Sequence, residues 1–144
     1  MLAKWRSRKS QRGAAALEFA LVAPILIMLV FGVVDFGMMI NSQAVFANAT
    51  RDGARTGSFF GTKSEITSVI TSQTSYLNGL VENVQVNVTC RKPTGTACGN
   101  YDLDREPGDT VSVKITFTHR WLTPGLLGLP STSTITKTSE MRIE

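Results

Sequence analysis

Glu18 is the side chain in this sequence whose position most needs a chemical reason. It stands near the start of a long apolar run, with Ala14 to Leu17 before it and the uncharged FALVAPILIMLVFGVV of residues 19–34 after it. A carboxylate near the end of an apolar helix is costly and tends to have a partner. Asp35 closes the same run. Cys90 and Cys98, the two cysteines of the chain, form a short-range pair. Beyond a membrane such a pair fits a disulfide closing a loop, with two separate free thiols as the alternative. Asp102, Asp104, Glu106 and Asp109 could offer oxygens to Ca²⁺, but the mid-loop glycine and closing glutamate of a calcium loop are missing, and solvated loop acids are the expectation. His119 is the sole histidine, and it has neither an activated Ser or Cys nor an orienting acid in view. One histidine cannot complete a zinc site with these thiols at usual spacing. The residues thus point to no enzyme, no metal site and no cofactor.

The element that must position Glu18 is a membrane helix. About 20 apolar residues span the hydrocarbon layer at roughly 1.5 Å per residue, so the run is long enough to cross with some tilt. Lys4, Arg6, Arg8, Lys9 and Arg12 precede it with no acid among them. The bias of positive charge places residues 1–12 in the cytoplasm and residues 41–144 on the other side. From Ala14 onward, ten Lys/Arg face eleven Asp/Glu, so the basicity belongs to the leader. A nucleic-acid surface would need basic and aromatic residues spread over the folded part, and none is expected. Pro24 removes one helix hydrogen bond, which predicts a kink or local melting near residues 20–24. A cleaved secretory signal ending at Ala47-Asn48-Ala49 is the weaker alternative, because the apolar run is too long and ends too early.

The string Gly13-Ala14-Ala15-Ala16-Leu17-Glu18-Phe19, behind its basic leader, resembles a type IV prepilin signal. Together with Ala20-Leu21-Val22-Ala23-Pro24, Phe31-Gly32-Val33-Val34-Asp35-Phe36-Gly37 and Ala49-Thr50-Arg51-Asp52-Gly53-Ala54-Arg55, it resembles the TadE/TadG-like minor pseudopilins of tight-adherence (Flp) pilus systems. The resemblance covers about residues 12–57; Asp35 and Asp52 stand where that family commonly has Glu, and Phe19 where it often has Tyr. It implies cleavage between Gly13 and Ala14 by a prepilin peptidase, and assembly with other pilin or pseudopilin subunits on a pilus assembly platform. The freed amine of one subunit would then lie against the Glu18 carboxylate of its neighbour, with Phe19 beside it, pairing charges that lipid penalises singly. In the alternative, Glu18 only reaches to the headgroups. Asp35 is expected to mark the outer boundary of the span.

Beyond the span, Ala44, Ala47, Thr50 or Arg51, and Ala54 make a stripe of small residues at helical spacing. Gly57 and Gly61 suggest its stop, and Arg51 and Arg55 share one face, solvated or paired with acids of the C-terminal domain. A second helix opens at Ser64-Glu65, with Ser64 as N-cap, and shows an apolar stripe of Ile66, Val69, Ile70, Tyr76 or Leu77, and Leu80, ending near Gly79. Three strands follow: Val84, Val86 and Val88 leading to Cys90; Val111, Val113, Ile115 and Phe117; and a Thr/Ile-rich run from about Ser131 to Ile143. Leu126, Leu127 and Leu129 would fold onto the core, or meet a neighbouring subunit or the membrane. The expected fold is α+β: a leader of residues 1–13, a transmembrane and juxtamembrane helix over 14–57, and an extracytoplasmic domain over 58–144 with one helix on a three-stranded antiparallel sheet.

Overall fold

A computed structural model describes residues 7–128 and 130–144, with side chains from residue 13 onward apart from those of 126, 127 and 129. The basic side chains of the leader therefore lie outside the described residues, as do the side chains of the three leucines after Gly125. Helix α1 spans Ser7–Ser58 and runs unbroken through Pro24. The local melting expected there does not occur: a proline deletes one backbone hydrogen bond, and the flanking turns hold the helix across it.

The end of α1 is fixed by its geometry. Gly61 N–H donates to Thr56 O and Phe60 N–H to Gly57 O, the two bonds of a Schellman motif. The left-handed residue is Phe60, with φ 62°, rather than a glycine. Gly61 is needed one position later, because a Cβ there would lie 2.6 Å from Thr56 Cγ2 and 2.7 Å from Thr56 O. Helix α2 follows at Lys63–Thr74. Its N-cap is Thr62, not Ser64: Thr62 Oγ1 accepts from Glu65 N–H while the Glu65 carboxylate accepts from Thr62 N–H. The Thr-x-x-Glu spacing of that capping box is present in the sequence at residues 62–65. Along α2 and the 3-10 turn Ser75–Leu77, the buried positions are Ile66, Ile70, Thr74 and Leu77, while Tyr76 faces outward.

The sheet is a three-stranded antiparallel meander in the order β1-β2-β3: β1 Val81–Arg91, β2 Thr110–Arg120 and β3 Thr132–Arg142. β1 begins earlier than its valine alternation suggests, with an irregularity between Glu82 and Gln85 where Asn83 takes φ 52°. Val111, Val113, Ile115, Phe117 and His119 of β2 are all buried on one face. Opposite them on the same face stand Val88 and Cys90 of β1, and Ile135 and Met141 of β3. The fold is thus α+β, and the C-terminal half of α1 lies across β2 and β3 with α2 beside it.

The expected stripe meets the buried face of α1 only in part. Thr50 and Ala54 are buried and Ala47 half-buried, but Ala44 is exposed, and beyond Asp35 the buried set adds Ser42, Phe46, Ala49, Gly53, Gly57 and Ser58. Phe46 stacks on Phe117 with ring centroids 3.9 Å apart and planes 18° from parallel. The glycines mark where α2 and β2 come closest: a Cβ at Gly53 would stand 3.0 Å from Ile70 Cδ1, and one at Gly57 would stand 2.9 Å from Val111 Cγ2.

Candidate assembly helix and its anchor

From Gly13 to Val34 the helix is almost wholly exposed, with Ala23 and Gly32 the partly covered exceptions. Leucine, valine, isoleucine and phenylalanine face outward all round this segment, Leu17 and Phe19 among them. A soluble core helix would hide that surface; this one is long and apolar enough to cross a membrane. Glu18 is exposed on the same segment, and no hydrogen bond or ion pair joins it to another described residue. Gly13 and Ala14 lie on the same continuous helix. A Cβ at Gly13 would meet nothing within 4 Å among the described residues. The described residues supply no packing reason for a glycine there, although glycine in a helix interior costs about 1 kcal/mol relative to alanine.

Asp35 has a role that its place in the sequence does not reveal. It is buried, and its carboxylate accepts three hydrogen bonds from the connection between β2 and β3. Leu122 N–H donates to Oδ1 at 3.0 Å; Thr123 N–H and Oγ1–H donate to Oδ2 at 3.0 and 2.7 Å. One helix side chain thereby satisfies two backbone amides that have left the sheet. Around it, Phe36 packs edge-on against Trp121 at 5.3 Å, and Trp121 Nε1–H donates to Ser133 Oγ. Asp35 does sit where the exposed apolar surface ends, and it is also the first point at which the domain grips the helix. Trp121 could have been found by extending the alternation of Phe117 and His119 by one step; the Asp35 partners, 87 and 88 residues away, could not.

The helix that carries these features also carries the likeness to known proteins. Residues 13–55 match the family model of TadE-like proteins. The TadE-like segment runs from the glycine before the apolar surface to the last turns of α1, and leaves α2 and the sheet outside it. The match is consistent with a protein of tight-adherence pilus systems, and with the exposed apolar helix it fits a single-pass membrane protein associated with such a pilus. Comparison with curated proteins and with solved structures gives no match.

Apart from Arg51 and Arg55, which lie within it, the remaining candidates sit beyond the TadE-like segment. Cys90 and Cys98 form a disulfide, with Cα atoms 5.4 Å apart, and it closes the loop after β1. The four acids do not converge on one point. Asp102 accepts from Lys63 N–H and pairs with Arg105 at 3.0 Å, and Asp104 accepts from Asn100 N–H. Glu106 pairs with Lys92 at 2.8 Å, while buried Asp109 accepts from Glu106 N–H at 2.9 Å. Each carboxylate tethers a different part of the loops around α3 (Tyr101–Asp104). Asp109 also lies beside the disulfide, where the three side chains come close together, but Lys92 Nζ at 3.5 Å already serves that carboxylate. Arg51 and Arg55 are exposed on α1 and make no ion pair with a described residue.

His119 is buried against Trp121, and neither ring nitrogen has a partner among the described residues. Burial disfavours its imidazolium and lowers its pKa from the ordinary 6.5, with the Asp35 carboxylate pulling in the other direction. A neutral histidine is therefore preferred in the folded state. Stability should be complete above about pH 6.5, and should fall as the pH drops through that unfolded-state value toward the lower folded one. His119→Leu should remove this loss and leave stability at neutral pH within about 1 kcal/mol, since no hydrogen bond is given up. Thermal midpoints of both proteins at pH 7.5 and about pH 5.5 check it, above the range where most carboxylates titrate.

Proposed function

We propose that this chain is a minor pseudopilin of a tight-adherence pilus. It is inserted with its N-terminus in the cytoplasm, cut between Gly13 and Ala14 by prepilin peptidase, and assembled through α1 with other pilin or pseudopilin subunits on the assembly platform. Its role is structural and not enzymatic. The observation that carries this reading is the TadE-like match over a helix whose apolar surface is bare and interrupted by Glu18. Lateral packing of such helices would cover the bare surface. The amine freed at Ala14 lies about one helical turn from Glu18 along the axis, so a neighbour displaced by that step would bring the two charges together. Gly13, for which the described residues offer no packing reason, is accounted for as part of the cleavage site.

The unbroken helix through Gly13 favours one rival, an uncleaved single-span protein whose domain is an extracytoplasmic scaffold or receptor. Intact mass and N-terminal sequence, with and without the peptidase, separate the two. A peptidase-dependent start at Ala14 is expected; a Met1 start in the presence of active peptidase would leave the rival standing. In the same strain, Glu18→Ala should reduce incorporation into the pilus at least about tenfold if the charge pair contributes about 1.4 kcal/mol or more. Membrane insertion should be unchanged, because removing a charge from lipid carries no penalty. Normal incorporation of Glu18→Ala would refute the charge-pairing role.

A further inference from the structure

The bare stretch of α1 from Gly13 to Val34 rises about 33 Å, close to the roughly 30 Å of a bilayer's hydrocarbon core. If it crosses the membrane, Asp35 arrives at the lipid interface, and whatever Asp35 holds arrives with it. It holds Leu122 and Thr123. The connection between β2 and β3 is therefore fixed beside the helix at headgroup depth, and it includes α4, the short helix Pro124–Leu127, which also touches α1.

The chemistry of this end of the domain suits that depth. From Trp121 to Ile135 the chain carries no charged residue. Leu122 is 55% exposed, although its own backbone N–H is held by Asp35. The Asn78–Leu80 connection lies at the same end, since Leu80 O accepts from Arg120 N–H, and the chain from Ile66 to Val81 is uncharged as well. The ion pair found at this end among the described residues, Arg120 with Glu82 at 3.0 Å, is neutralised within itself, whereas the loops around α3 at the opposite end hold those of Lys92 with Glu106 and Arg105 with Asp102. A carboxylate so near lipid would be costly if bare, but all three donors of the connection cap Asp35.

We propose that Leu122 and the α4 turn form a foot that rests in the outer-facing lipid interface, apolar and independent of lipid charge. It rests on the reading of α1 as a membrane span, and continuity with that span is what selects lipid as the occupant. The test uses the full chain reconstituted in phosphatidylethanolamine/phosphatidylglycerol vesicles, with an environment-sensitive fluorophore on Leu122→Cys. The native Cys90–Cys98 disulfide stays oxidised and does not react. Two reference sites are Val30→Cys within the span and Leu103→Cys at the far end of the domain, both exposed in the structure.

The label at residue 122 is expected to show blue-shifted emission and quenching by headgroup-region nitroxide lipid. Aqueous iodide should reach it much less than it reaches residue 103, and raising the salt should change neither result. Iodide quenching equal to that at 103, with no quenching by lipid, would overturn the proposal. So would a blue-shifted label that neither quencher reaches, which would mean that a second copy covers the foot. If residue 30 is also inaccessible to deeply placed nitroxide lipid, the membrane span itself fails and the foot with it. Quenching at 30 without quenching at 122 rejects the foot alone.

Discussion

Asp35→Ala is expected to lower the unfolding free energy by about 3 kcal/mol, where three hydrogen bonds to a charged group would sum to roughly 4.5–9 kcal/mol and their loss leaves two amides short of partners. The amides are those of Leu122 and Thr123, and no other described group reaches them. The cost falls short of three full bonds because Leu122 is partly exposed and water can enter. Asp35→Asn should be intermediate, since its amide keeps one oxygen acceptor in place of two. Denaturant unfolding in detergent micelles gives the total. Hydrogen exchange at the amides of 122 and 123 gives its location: these two should lose protection first, while the amides of β2 within Thr110–Phe117 keep theirs. Uniform protection in both proteins would mean that the carboxylate does not hold the connection.

Phe46→Ala should cost about 4 kcal/mol, in the range found when a buried phenylalanine is truncated. Phe46 is fully buried and stacks on Phe117 at the centre of the contact between α1 and the sheet. Against the roughly 5–15 kcal/mol typical of a small domain, that loss removes a large share of the stability. Phe46→Leu, which keeps much of the volume, should cost about 1.5 kcal/mol or less. The order wild type, Leu, Ala in denaturant midpoint and in resistance to proteolysis checks it. The apolar surface of residues 14–34 is untouched, so membrane association should be the same in all three proteins.

The difference between Phe46 and the stripe expected from sequence shows where legibility stops. β2 can be read directly, because Val111, Val113, Ile115 and Phe117 alternate with polar residues and one sheet face is buried. The buried face of α1 is legible only in part: the stripe of small residues includes the buried Thr50 and Ala54 but passes over Ser42, Phe46 and Ala49. Ser42 donates to Met38 O at 3.0 Å and Thr50 to Phe46 O, each satisfied by its own helix one turn back. Such residues enter a core without a partner on another element, yet a hydropathy pattern counts them as outward-facing. The small residues Ala44 and Ala47 are closer to a regular repeat than the true set, which mixes Phe46 with glycines that let Ile70 and Val111 approach.

The site divides in the same way. The apolar surface, Glu18 and the placement of Gly13 are local patterns, readable as soon as the residues are in order. The disulfide is legible as a pairing of neighbours, and its geometry bears that out. Thr62 is legible too, since its capping partner Glu65 stands at the required spacing, which Ser64 lacks. Asp35 is legible only as a charge at the end of a span. Its partners come from the far end of the chain, and nothing about Leu122-Thr123 marks them as amides in need of a carboxylate.

Because α1 is one helix from the membrane segment into the core, no hinge separates the anchor from the domain. The seventeen steps from Glu18 to Asp35 amount to a fixed rise of about 25 Å and a fixed azimuth, since each residue adds about 1.5 Å and about 100° of rotation. If Glu18 meets a neighbouring subunit, as proposed, the face that the sheet turns outward is already determined. One residue inserted between them would swing the domain by about 100° around the helix axis while raising it very little. The helix thus acts as a keyed shaft: it transmits orientation as strictly as it transmits pull.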